Sequence, residues 1–146
     1  TMALKVVDAQ SIKDAIKDTL ATGTTRGWVL FGYTPGSKTD LVVQQKKPNG
    51  TTAELVAALD DAQMQYAVIR IPDKKDKTDT VRDILIAWAG PDVGIMERSK
   101  KKVHIGDVKE VLSPFHADLE AIGKTNFTEA IVMDRSAPLS GSHVID

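Results

Sequence analysis

Six consecutive apolar residues, Ile84-Leu85-Ile86-Ala87-Trp88-Ala89, lie between the charged pair Arg82-Asp83 and the breaker run Gly90-Pro91-Asp92. A run this short, rich in branched and aromatic side chains and without polar alternation, reads as a strand buried on both faces. Such a strand belongs in the middle of a sheet, and helices must cover both sides of that sheet.

The rest of the chain supplies the partners. Ile12, Ile16 and Leu20 recur every four residues in Ser11-Leu20, with Lys and Asp between them. This spacing predicts an amphipathic helix packed by one stripe. Trp28-Tyr33 reads as a strand ended by Thr34-Pro35-Gly36, and Asp40-Gln45 as its hairpin partner. After Pro48-Asn49-Gly50 a second helix starts at a threonine cap, with Glu54 in its first turn and Leu55, Val56, Leu59 and Ala62 on one side. Gln65-Ile71 is a third strand. The charged stretch Asp73-Asp79 is expected to be a solvated loop. A long helical segment from about Gly94 to Leu112 carries Val108, Val111 and Leu112 at helical spacing, with an irregularity expected at Gly106, which costs roughly 1 kcal/mol relative to alanine. A short strand over Phe115-Ala121 and a helix near Phe127-Met133 follow, and Ser, Gly and Pro from Ala137 onward suggest a flexible tail. The expected fold is α/β (α+β): a mixed five-stranded sheet sandwiched between helices, in one domain.

Composition removes several chemistries. There is no cysteine, so thiolate zinc ligands, a thiol nucleophile and disulfides are excluded. His104, His116 and His143 have no metal-site spacing and are expected at the surface. Pro35-Gly36-Ser37-Lys38-Thr39 lacks the earlier glycine of a phosphate loop, and Asp60 and Asp61, adjacent at a helix end, point in different directions. Neither an enzyme nor a cofactor is expected. Nineteen basic against twenty acidic side chains give a net charge of −1, so nucleic acid and anionic membrane are not expected partners. No apolar stretch approaches a membrane span, and the amino-terminal residues have no basic flank leading into an apolar run. A soluble, unexported protein is expected.

Against that neutral background, Arg98-Ser99-Lys100-Lys101-Lys102 places four cations in five positions. Lys74-Lys75-Asp76-Lys77 with Arg82 forms a second cationic element. Either could simply keep a segment hydrated. Together, on a neutral molecule, they point to an acidic protein surface as partner.

Several blocks resemble coactosins, members of the ADF/cofilin homology (ADF-H) family. Trp28-Val29-Leu30-Phe31-Gly32-Tyr33 is similar to their W-V-x-F-x-Y strand. Arg82 through Gly94 resembles their basic residue, apolar strand, tryptophan, glycine and following valine-glycine. Met96-Glu97-Arg98-Ser99-Lys100 looks like the entry to their long helix, and Val108-Lys109-Glu110-Val111-Leu112 like its end. The resemblance runs from about Ser11 to Met133 and implies an ADF-H domain over residues 3–136; residues 137–146, the expected flexible tail, have no counterpart in it.

It further implies a cytoplasmic monomer of the actin cytoskeleton that binds the side of filamentous actin without severing it. The alternatives are cofilin-like binding of the actin monomer with depolymerisation, or a non-catalytic adaptor. By position, Arg82, Arg98 and Lys100 match basic residues that the family uses on actin; Lys101 and Lys102 extend the patch, and Lys75 and Lys77 join from the second cationic element. Arg82 replaces a lysine, and Asp83 stands where an apolar or aromatic residue is common, which is expected to weaken the filament-side contact. No serine directly follows Met2, which favours coactosin over cofilin.

Overall fold

A computed structural model describes residues 3–146; the comparison made at Met2 lies outside them. The elements are β1 (Lys5–Val6), α1 (Ala9–Thr19), β2 (Gly27–Tyr33), β3 (Asp40–Pro48), α2 (Thr52–Ala58), β4 (Met64–Lys75), β5 (Thr78–Ala89), α3 (Ile95–Lys102), α4 (Ile105–Leu112), β6 (Ala117–Ala121), α5 (Glu129–Arg135) and β7 (Val144–Ile145). They form a mixed sheet in the order β1-β3-β2-β4-β5-β6-β7. The central strands β3, β2, β4 and β5 are antiparallel, and β6 runs parallel to β5.

The apolar run of β5 lies between β4 and β6, as its composition requires. Leu85 faces one core layer with Val29, Phe31 and Val68, closed by Ile12 of α1 and Val108 and Leu112 of α4. Ile84, Ile86 and Trp88 face the other layer, closed by Leu55 of α2, Val132 of α5 and Ile145. Ile84, Leu85 and Ile86 are all fully buried. Helix starts follow local chemistry: Asp8 accepts from the Ser11 amide at α1, and Thr51 and Glu54 form a reciprocal capping box at α2.

The five expected strands are β2 to β6, and the sheet gains two more. β1 and β7 are two residues each, too short to carry a periodicity. β7 corrects the expectation of a flexible tail: Val144 and Ile145 pair with Glu120 and Ala121, and Ile145 is fully buried. The expected loop at Asp73-Asp79 is instead a two-stranded ribbon, with Pro72 opposite Val81 and Lys75 opposite Thr78. Its two-residue turn has positive φ at both Asp76 and Lys77, the arrangement that matches strand twist in a tight hairpin. The ribbon extends past both core layers, so nothing selects apolar alternation along it. The long helical segment also divides, at Val103-His104 and not at Gly106. There the His104 amide bonds to the Lys101 carbonyl at 3.0 Å, a tight turn, before Val108 restarts the helical pattern from the His104 carbonyl.

Two arginines join the central strands to helix ends on opposite faces. On β4, Arg70 pairs bidentately with Asp83 at 2.8 and 3.0 Å and donates to the Leu20 and Ala21 carbonyls just beyond α1. The Asp83 hydrogen bond raises the Arg70 pKa. Asp83, expected to disturb a partner contact, thus serves inside the protein. On β5, Arg82 donates to the Met133 carbonyl and the Ser136 hydroxyl, each at 2.9 Å, and pairs with Asp73 at 3.0 Å. A cation there suits the carboxyl end of α5 and ties the ribbon to it.

Urea denaturation of Ile145→Ala should show a loss of about 2–4 kcal/mol, as for a fully buried isoleucine; an unchanged midpoint would mean that the terminal strand is not docked. The Arg82→Ala change should cost about 1–2 kcal/mol because it leaves a carboxylate and helix-end acceptors without their donor, whereas Lys100→Ala should change stability by less than about 0.5 kcal/mol.

Candidate functional site

The start of α3 is fixed by the end of β5. Trp88 donates its indole N–H to the Asp60 carbonyl at 2.8 Å, the Gly90 amide bonds to the Gln63 carbonyl at 3.0 Å, and the Asp92 amide to the Asp61 carbonyl at 2.9 Å. A side chain at position 90 has no room, because a Cβ there would lie 2.1 Å from the Asp61 carbonyl oxygen. The Gly90-Pro91-Asp92 turn is therefore seated on the turn that follows α2, and α3 leaves from a fixed base.

On α3 the cations sort by direction. Lys101 turns inward: only 7% exposed, its ammonium lies 3.6 Å from the Glu97 carboxylate and 4.2 Å from the centre of the Tyr33 ring. Three residues on, His104 is buried too, correcting the surface expectation, and its Nδ1 is 2.8 Å from the Tyr33 hydroxyl. That hydroxyl also contacts Tyr66 at 2.9 Å. Burial pushes both tyrosine pKa values up, so both phenols stay protonated. Lys101 and His104 thus dock α3 onto the sheet.

The opposite stripe faces water. Met96, Lys100 and Val103 follow one another at helical spacing and are all exposed, with Ile95 beside them at 82% exposure. Lys100 and Lys102 have no ion-pair partner among the described residues. Arg98, half-buried, spends one N–H on the Gly90 carbonyl at 3.1 Å. Exposed apolar residues at the first turn of a helix, next to uncommitted cations, form a surface suited to a partner with an apolar pocket and acidic rim.

The seven expected contact residues do not form one face. Arg98, Lys100 and Lys102 share α3; Lys101 is turned inward; Arg82 lies on the other side of the sheet and is occupied by Asp73 and α5. Lys75 and Lys77 are exposed at the ribbon tip, whereas α3 follows the opposite end of β5, a strand eleven residue steps or about 36 Å long. Ile95 and Met96 were not among the expected site residues, although two large apolar side chains directly after Val93-Gly94, at the head of a cationic helix, are a readable signal. His116 accepts from the Asp83 amide at 2.8 Å and His143 contacts the Arg135 carbonyl. Among the described residues no group of three or more His, Asp or Glu could hold a metal, and no helix is long and apolar enough to cross a membrane.

The geometry can be placed among known proteins. Residues 5–137 match the family model described as cofilin/tropomyosin-type actin-binding protein. Coactosin of Dictyostelium discoideum is 25% identical over 137 residues, covering 93% of this chain and 92% of that protein. Coactosin of Entamoeba histolytica is 28% identical over 103 residues, covering 70% and 68%. The crystal structure of the Entamoeba histolytica protein superposes with a TM-score of 0.73 at 25% identity, over 88% of this chain and 91% of that one. Human coactosin-like protein shares the fold at a TM-score of 0.75 and 19% identity, over 88% and 94%. With a match that spans nearly the whole sheet and every helix, the chain belongs to the cofilin/tropomyosin-type actin-binding protein family, in which it resembles the coactosins.

Proposed function

We propose that this protein binds the side of actin filaments without severing them, as a non-catalytic regulator of the cytoskeleton. The observation that carries this reading is the outward stripe of α3, where Ile95 and Met96 stand exposed beside Lys100 and Lys102. The apolar pair supplies contact area that water would otherwise cover, and the lysines meet carboxylates, speeding encounter and setting orientation.

A second contact is assigned to the ribbon tip, through Lys75 and Lys77. Two exposed elements at opposite ends of a strand about 36 Å long suit a repeating partner, whose neighbouring subunits can each take one. A monomer needs only the α3 stripe. Arg82 acts as a positioning residue, since its clamp on Asp73 and α5 aims the ribbon. Lys101 belongs to the interior of the module.

In cosedimentation with filamentous actin, the protein should enter the pellet while the supernatant actin stays constant. A rising supernatant actin fraction would instead establish depolymerisation. Met96→Asp and the double change Lys100→Glu, Lys102→Glu should each weaken pelleting tenfold or more, and raising salt should weaken the wild type progressively. The double change Lys75→Glu, Lys77→Glu should reduce filament binding while leaving affinity for monomeric actin within about twofold, a small effect on the scale where tenfold is 1.4 kcal/mol. Normal pelleting by Met96→Asp would remove α3 from the contact.

A further inference from the structure

The two sides of β5 are unequal. Toward α2 and α5 it presents Ile84, Ile86 and Trp88, all buried. Toward α3 it presents Leu85, and then Ala87 and Ala89. These two small side chains leave a cleft of about 160 Å³ between the sheet and the α3–α4 turn. Its floor is apolar, with Met64 and the two alanines below and Ile105 and Ile122 at the sides. Ile122 is 43% exposed, an apolar side chain with its outer surface still in water.

The rim is charged, and unevenly. Arg98, Lys102 and Ile105 occur at positions i, i+4 and i+7, so one stripe of the α3–α4 segment sets two cations and then an apolar residue along the cleft. Arg98 has one N–H on the Gly90 carbonyl and Lys102 has no partner among the described residues, so donors remain for a ligand. Lys101, also on the wall, is already committed to Glu97 and Tyr33. The single carboxylate, Glu120, stands across the cleft on β6.

We propose that this cleft binds a medium-chain alkyl carboxylate. The head group sits between Arg98 and Lys102, away from Glu120, and the alkyl body crosses Ala87 and Ala89 toward Ile105 and Ile122. A neutral alcohol forgoes the charge pairing, and a cationic amphiphile of the same chain meets two like charges. The assignment rests on the cleft and its rim, and shares only Lys102 with the surface proposed for actin.

The test uses the full chain without actin, titrated with decanoate below its micelle concentration and followed by amide ¹H–¹⁵N spectra. Saturable shifts are expected at Ala87, Ala89, Lys102, Ile105 and Ile122. Decanol and decyltrimethylammonium should bind at least tenfold more weakly. Lys102→Glu, at an exposed helix position, should keep the fold and weaken decanoate tenfold or more, and Ala87→Leu, which fills the floor, should remove the shifts. Equal binding of the three amphiphiles, shifts centred on Ile95, Met96, Lys100 and Val103, or a Lys102→Glu titration matching the wild type would each overturn the proposal.

Discussion

The antiparallel pairing of β4 with β5 is the interaction on which the rest of the molecule depends. Twelve residue pairs in unbroken register, from Met64 with Ala89 to Lys75 with Thr78, make one stiff element. Its middle is buried by helices on both faces. One end becomes the free ribbon, and the other delivers the chain to Gly90 and so to α3. The two candidate contact elements are thus opposite ends of the same hairpin, and their separation is set by strand length and not by a loop.

Polar groups then fix what apolar burial leaves undetermined. Apolar contact is non-directional, so it holds helices against a sheet without choosing their exact ends. Arg70 and Arg82 make that choice by donating to the carbonyls that end α1 and α5, each balanced by an aspartate on the hairpin. Under α3, the Lys101, Tyr33, Tyr66 and His104 network does the same for the helix whose other side is left in water.

The sequence was most legible where burial imposes a pattern. The unbroken apolar run of β5 required two helical layers, and the four-residue spacing in α1 and the capping box at α2 located both helices. It was least legible where burial is absent or partial. The ribbon carries charges on both faces, so its pairing left no alternation, and β7 is shorter than any period. For the site, composition located the cationic helix but not the direction of its side chains. Lys100, Lys101 and Lys102 are identical as letters, and the middle one turns inward onto the aromatic ring of Tyr33, which comes from a strand far away in the chain.

The seat at Gly90 has a wider meaning for how such a surface can change over time. Because the sheet sets where α3 begins, the angular phase of that helix is geared to the short connector before Ile95. Adding or removing one residue there would rotate every following side chain by about 100°, bringing Lys102 into the place of Lys101 or the reverse. Point substitutions on the outward stripe leave that gearing untouched. The outward stripe is therefore open to revision by single replacements, while the connector length is held by the packing beneath it.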